Sequence, residues 1–372
     1  LKKQGYDVHV LMSKEAQEFV TPLTFQTLSN NKVITDMFTT DYTPDVHHVS
    51  LAKKADLFVI APATANVIAK VANGIADDML TTTFLAANCK KLIVPAMNTQ
   101  MLMNPVTQDN IQKCRNYGMH IFESNSGYLA CGDVGKGRLP EPDEIEDKIK
   151  EVLEDDKFLA GKHILVTAGP TSEAIDPVRM ITNHSTGKMG YALARAARNM
   201  GAHVTLVSGT KQIADIRDVE MVHVTSAKDM AEAVLSRQEE MDCMILAAAV
   251  ADYTPVSVAD NKIHKSEGEM SIPLKRTQDI LKTLGQNKKE GQVLIGFSME
   301  TENMVERTKE ILVKKNCDYI VANNLKEKGA GFGTDTNIVT LISKDYEEEF
   351  GILSKYDTAV KILKTCLKEK KA

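Results

Sequence analysis

The sequence predicts an α/β protein of two Rossmann-like, three-layer domains, each built on a mostly parallel sheet. Three observations carry this. Short apolar runs alternate with helix-prone stretches along nearly all of the 372 residues, the pattern of parallel strands covered by helices on both faces. Several runs end in small or polar residues that open a helix, where open α/β sheets hold ligands. One acidic stretch, from Pro140-Glu141-Pro142-Asp143 to Asp156, has no strand signal. It reads as a terminal helix plus linker, so the domains are placed at residues 1–156 and 157–372.

Leu1–Gly5 reads as the end of a helix that feeds a strand at Asp7–Met12. A first strand and its turn are therefore expected upstream of Leu1. Apolar, strand-like runs follow at Asp56–Ala61, Lys91–Pro95 and Met119–Phe122. The second series comprises Lys162–Ala168, Ala202–Val207, Val219–Val224, Cys243–Ala249, Val293–Phe297, Cys317–Ala322 and Asn337–Ile342.

Apolar content of 43% and charged content of 26% are those of an ordinary globular protein. A net charge of −5 gives no pull toward nucleic acid or an anionic membrane, and neither is expected as a partner. No run reaches the ~20 apolar residues that cross a bilayer, and no signal peptide is visible. Six cysteines occur singly, without CxxC or zinc spacing, a usage that predicts a reducing, cytoplasmic setting. Cys89, Cys243 and Cys317 adjoin apolar runs and are expected to be inert.

Four segments in the first half carry chemistry. Ser126–Arg138 reads as a glycine-rich loop with Cys131 near Lys136 and Arg138. Such cations favour thiolate, whereas a protonated thiol in the same place can deliver a proton. Val46-His47-His48-Val49-Ser50-Leu51 reads as a loop just before a strand and offers histidine, a residue type that can take or give a proton at working pH. Ala61-Pro62-Ala63-Thr64-Ala65-Asn66 ends a strand on small residues against which a flat ligand can lie, and Thr64 or Asn66 could equally be ordinary caps. Pro95-Ala96-Met97-Asn98 ends another strand on an amide suited to holding a carboxylate.

Through His48–Leu51, Pro95–Asn98 and Ala130-Cys131-Gly132-Asp133, this half resembles the phosphopantothenoylcysteine decarboxylases, flavodoxin-like flavoproteins that use FMN. The resemblance implies His48 as base, Asn98 as substrate carboxylate anchor with Met97 beside it, and Cys131 as the acid that protonates an ene-thiol. It places Pro62, Thr64 and Asn66 on FMN, with Ser13 at its phosphate.

In the second half, strand Ile164–Thr167 runs into Ala168-Gly169-Pro170-Thr171-Ser172-Glu173, and Arg179–Gly190 opens an alanine-rich helix. A Gly/Ser/Thr-rich turn before a helix supplies N–H groups for phosphate. It is neither a dinucleotide fingerprint nor a P-loop, so a nicotinamide dehydrogenase is not supported. Ala247–Tyr253 carries Asp252, and Lys262-Ile263-His264-Lys265 follows. Gly296–Thr301 contains Phe297, and Val321–Asn324 and Gly329–Asn337 are further strand-end or loop segments.

Together these segments resemble the bacterial, CTP-using phosphopantothenate–cysteine ligases. The resemblance implies Asn183 as a contact to an acyl-cytidylate and Lys262 as the cation at the reacting carbonyl and phosphate. Asp252, Lys262, Lys265 and Phe297 are implied at CTP, with Mg2+ on the phosphates. His264 stands where a lysine is common in relatives, and Lys275–Ile280 departs from their usual pattern and has no role assigned.

The two halves imply consecutive steps in coenzyme A biosynthesis, with phosphopantothenate, cysteine and CTP as substrates and a homo-oligomeric assembly. A flavin decarboxylase of peptide C-terminal cysteines would lack the second domain. A regulatory binding subunit would be favoured by loss of His48 or Cys131, and both are present.

Overall fold

The computed structural model describes residues 1–38, 47–264, 270–300, 304–324 and 334–368. The chain divides into two compact units, Leu1–Asp155 and Asp156–Ala372.

In the first unit, β1 (Leu57–Ala63), β2 (Lys90–Pro95) and β3 (His120–Ile121) form a parallel sheet in that order. Successive side chains of β2 point to opposite faces. Ile93 joins a cluster with Ile60, Ile68, Val71, Phe84 and Ile111, so helices α3 (Ala65–Ala72), α4 (Met79–Ala86) and α6 (Pro105–Asn116) cover that face. Leu92 and Val94 pack with Phe122, Ile149 and Val152 on the other face, beneath α7 (Pro142–Leu153). Helices α1 (Pro22–Ser29), α2 (His47–Lys54) and α5 (Thr99–Met103) complete the unit's helices among the described residues.

Two expectations are corrected here. Asp7–Met12 is not a laddered strand. Among the described residues it meets a neighbour at one parallel bridge, Leu11 to Ile34. Residues 126–138 are not a loop but an antiparallel hairpin, β4 (Asn125–Tyr128) with β5 (Val134–Arg138), and Cys131 lies in its turn. Glycines at 127, 135 and 137 carry no side chain, so the strands leave no alternating apolar pattern to read.

In the second unit the described residues form an eight-stranded sheet. Its strands are β6 (His163–Ala168), β9 (His203–Ser208), β10 (Glu220–His223), β11 (Cys243–Leu246), β14 (Val293–Glu300), β15 (Tyr319–Asn324), β17 (Val339–Ile342) and β18 (Glu347–Glu349). The order is β10-β9-β6-β11-β14-β15-β17-β18. All pairs from β10 to β15 are parallel, and β17 and β18 run antiparallel.

Ile164, Val166, Ile245, Ile295 and Val321 belong to one core cluster, with Tyr191, Leu193 and Ile362. Their chain neighbours Leu165, Met244, Leu294 and Ile320 belong to another, with Met230, Val234 and Leu284. Strands buried on both faces give this near-continuous apolar reading. Helices α8 (Lys188–Asn199) and α12 (Lys355–Leu367) cover the first face. Helices α9 (Ala227–Leu235), α10 (Ile280–Gln286) and α11 (Met304–Lys314) complete the unit's α-helices among the described residues. Short hairpins β7 (Ser172–Ala174) with β8 (Met180–Thr182), and β12 (Tyr253–Pro255) with β13 (Leu274–Arg276), stand outside the large sheet, as does the pair of β16 (Thr336–Asn337) and β19 (Leu353–Ser354).

The chain leaves β6 for β9 and β10 on one side, then returns to β11, β14 and β15 on the other. Strand order therefore reverses between β6 and β11, and open sheets bind ligands beyond the carboxyl ends at such a point.

Candidate active sites

In the first unit the ends of β1 and β2 are tied together by Ala96 N–H donating to Ala63 C=O at 3.0 Å. The hairpin is docked on this edge. Met97 N–H donates to Gly137 C=O at 3.0 Å, and Thr99 Oγ1 donates to Lys136 C=O at 2.8 Å. A Cβ at Gly137 would stand 2.1 Å from Met97 O, and φ there is +132°. Only glycine permits that approach in that conformation.

Asn98 caps α5, its Oδ1 accepting from Gln100 N–H at 2.8 Å. The cap fixes which way the amide faces. Its Nδ2 consequently points to the hairpin turn, 3.3 Å from Cys131 Sγ and 3.3 Å from Asp133 Oδ2. Cys131 Sγ in turn donates to Asp133 Oδ2 at 3.4 Å. Asn98, Cys131 and Asp133 form one cluster held from two directions, with Cys131 and Asp133 exposed and Asn98 half-buried. Asp133 received no role from the sequence, although it sits two residues from the thiol.

The cations do not face the thiol as partners. Lys136 is paired with Glu123 at 2.7 Å and Arg138 with Glu141. The Lys136 hydrogen bond holds the Glu123 carboxyl below its ordinary range. The thiol's neighbour is instead a carboxylate that accepts its hydrogen bond.

Ala61, Pro62, Thr64 and Asn66 are exposed at the end of β1. Thr64 Oγ1 accepts from Val67 N–H at 3.3 Å as the cap of α3, leaving its hydroxyl hydrogen to donate outward. Met97 packs against the core cluster. Ser13 Oγ accepts from Ala16 N–H at 3.3 Å. His48 lies on helix α2, not in a loop, and is half-buried. Among the described residues no hydrogen bond joins it to the Asn98 cluster.

In the second unit the ends of β6 and β11 are laced together. Ala249 N–H donates to Gly169 C=O at 2.9 Å, and Thr171 N–H donates to Ala249 C=O at 3.3 Å. Ala248 N–H reaches Thr167 Oγ1 at 3.1 Å and Ala251 N–H reaches Thr171 Oγ1 at 2.9 Å. Asn183 Nδ2 donates to Ala249 C=O at 2.9 Å, which puts this exposed amide at the point of strand reversal. Helix α8 starts beside it. A Cβ at Gly190 would lie 2.7 Å from Thr167 O, so the helix reaches the strand end only because that residue is glycine.

Asp252 is not at the end of β11, which stops at Leu246, but six residues further on beside β12. Its side chain is exposed and its C=O accepts from Thr277 N–H at 3.0 Å. Phe297 lies within β14 rather than at its end, half-buried against the core. Lys262 is exposed. Lys265, Thr301 and residues 329–333 of the glycine-rich segment lie outside the described residues.

Sequence reasoning missed Asp176. Its side chain is fully buried and takes Val178 and Arg179 N–H on Oδ1, each at 2.8 Å. Oδ2 takes Arg179 Nε at 2.9 Å, Arg179 Nη2 at 2.6 Å and Ile263 N–H at 3.1 Å. Burial alone would raise its pKa. Arg179 and the three N–H groups outweigh that and hold it well below the carboxylate range. The Asp-Pro-x-Arg spacing between β7 and β8 was the available signal.

Residues 1–154 match the flavoprotein family, and residues 159–369 match the DNA/pantothenate metabolism flavoprotein C-terminal domain. The coenzyme A biosynthesis bifunctional protein CoaBC of Bacillus subtilis (strain 168) is 50% identical over 367 residues, 98% of this chain and 90% of that protein. The chain belongs to the CoaBC family. CoaBC of Vibrio vulnificus (strain YJ016) is 41% identical over 366 residues, 98% of this chain and 91% of its own. A cysteine/cysteine sulfinic acid decarboxylase from an unknown prokaryotic organism is 45% identical over 356 residues, 94% of this chain and 99% of its own. CoaBC relatives thus span both units. Among the described residues no helix is long and apolar enough to cross a membrane.

Proposed function

We propose that this chain joins cysteine to 4′-phosphopantothenate and then decarboxylates the product to 4′-phosphopantetheine, acting in the cytoplasm as a homo-oligomer. The observation that carries the reading is the pairing of two strand-end sites with near-full-length similarity to CoaBC proteins.

In the ligase half, the phosphopantothenate carboxylate attacks the α-phosphate of CTP and pyrophosphate leaves. The cysteine amine then attacks the acyl carbon, and CMP leaves with the bonding pair. Splitting the amide synthesis this way gives the acyl group a good leaving group. Asn183, fixed at the strand reversal, contacts the acyl-cytidylate. Lys262 stabilises charge at the carbonyl and phosphate. Lys265 and Phe297 contribute to CTP binding. The exposed Asp252 carboxylate, with its backbone held by Thr277, suits the neighbourhood of a Mg2+ carried on the nucleotide's phosphates.

In the decarboxylase half, the residues fit a flat cofactor. The end of β1 offers an exposed edge of small residues, with the Thr64 hydroxyl and the Asn66 amide as polar contacts. Pro62, Thr64, Asn66 and Ser13 would hold FMN there. Bound FMN supplies the two-electron exchange with the cysteinyl carbon–sulfur unit on which loss of CO2 depends. Asn98 orients the departing carboxylate with its amide, and Met97 lies behind it. His48 takes a proton from the substrate. Cys131, whose S–H is aimed by Asp133, returns a proton to the ene-thiol.

One coupled assay tests the reading. The chain is supplied with phosphopantothenate, cysteine and CTP or ATP in turn, while CO2 and nucleoside monophosphate are followed. Release of CMP followed by CO2 is expected. CO2 from free cysteine or cysteine sulfinate without phosphopantothenate would assign it instead to the activity that its 45%-identical relative is named for.

A further inference from the structure

The β7–β8 hairpin closes through ordinary backbone bonds. Ile175 N–H donates to Arg179 C=O at 2.9 Å. Such a turn needs no buried charge, and burying an ionised carboxylate is costly unless its lone pairs find donors. Asp176 is 2% exposed, and its five bonds supply those donors. Not all of them are local.

Oδ2 takes the N–H of Ile263, 87 residues away, at 3.1 Å. Arg179 Nη2 bridges the other side, donating to Asp176 Oδ2 at 2.6 Å and to Ile263 C=O at 2.6 Å. Ala259 N–H donates to Ile175 C=O at 3.0 Å. The segment 259–263 is thus fastened to one hairpin at both ends, and Ile263 is gripped through its N–H and its C=O together. Lys262 is the residue immediately before that grip. Strand β8 of the same hairpin runs directly into Asn183.

We infer that Asp176 is a positioning residue for the ligation, holding Lys262 and Asn183 on one rigid hairpin through its bond to Ile263 and its pairing with Arg179. The inference rests on the role given above to Lys262. Its physical content is that a group stabilising transition-state charge must be fixed beforehand. A displacement near 1 Å can cost on the order of 100-fold in rate.

The test uses the full chain and Asp176→Asn, which keeps the shape but presents an NH2 to groups that donate. With phosphopantothenate present, kcat for pyrophosphate release from CTP should fall at least about tenfold, while KM for CTP stays within about threefold. Decarboxylation of supplied phosphopantothenoylcysteine should be unchanged. Trypsin should cut after Lys262 faster than in wild type, because the peptide bond to Ile263 is no longer gripped. Asp176→Asn added to Lys262→Gln should cost no further rate in single-turnover measurements, since the two act as one unit.

Wild-type kcat and wild-type protection in Asp176→Asn would overturn the proposal, as would an undiminished multiplicative loss in the double variant. Should the variant not fold, amide exchange in the wild-type chain decides. Ile263 N–H must exchange more slowly than Lys262 N–H, and equal rates overturn the grip. Full ligation by Lys262→Gln would instead remove the role of Lys262, leaving proteolysis and exchange to judge the grip separately.

Discussion

Asn98 Nδ2 lies 3.3 Å from Cys131 Sγ, and the same nitrogen lies 3.3 Å from Asp133 Oδ2. One amide therefore organises both the thiol and the carboxylate that accepts from it. Asn98→Asp would set a second carboxylate against Asp133, where like charges repel. CO2 release from phosphopantothenoylcysteine should fall by about 100-fold, the scale of a misplaced substrate anchor. Ligation of cysteine should be unaffected. Loss of both activities would mean that the substitution acts through folding.

In the proposed mechanism Cys131 gives a proton and does not form or break the carbon–carbon bond. Cys131→Ser should therefore continue to release CO2 while the yield of 4′-phosphopantetheine collapses. Product analysis by mass spectrometry distinguishes the outcomes, and a normal yield would remove the acid role.

Thiol labelling separates Cys131 from the structural cysteines. Cys114, Cys243 and Cys317 are buried and Cys131 is exposed. Burial pushes the Cys243 thiol well above its ordinary range and Cys317 up to about 12. A bulky maleimide should modify Cys131 first, and Cys131→Ser should lose that fast phase. Early labelling at Cys243 would contradict the packing of the second sheet.

The hairpin that carries Cys131 depends on Gly137. Alanine there would force a Cβ to within 2.1 Å of Met97 O at a φ of +132°. The expected loss is about 2 kcal/mol, within the range for strained backbone positions. Decarboxylation should fail at lower temperature than ligation. Unchanged heat inactivation of the decarboxylase would show that the hairpin is not seated as described.

The parallel strands were legible because residues such as Leu165 and Val166 face two separate cores, so the run stays apolar without interruption. The positions of Asn98 and Asn183 just past strands are legible because polar residues there interrupt the apolar pattern. The hairpin 125–138 was not, since glycine erases the period-two pattern that marks a strand. For Asp176 the local Asp-Pro-x-Arg spacing is a trace of its pairing with Arg179, but its bond to Ile263, 87 residues away, leaves none. His48 reads as a loop residue because a histidine pair beside short apolar residues has no strong helix signature, whereas the local structure there is helical.

Acidification gives an independent view of Asp176. Its carboxyl is held below the ordinary value of 3.8 in the folded chain, chiefly because its donors outweigh the opposing effect of burial. A depressed carboxylate stabilises the fold fully above its unfolded pKa and loses that contribution as pH falls toward its folded pKa. Asp176→Asn lacks the titrating group, so the difference in Tm between wild type and variant should be largest near neutrality. It should narrow from about pH 5 downward, where the unfolded carboxyl begins to protonate. Calorimetry of the two proteins between pH 7 and pH 3.5, about the span of carboxylate titration, reads this directly. A gap that stays constant or widens toward acid would mean that the hairpin is held by contacts other than the ionised carboxylate.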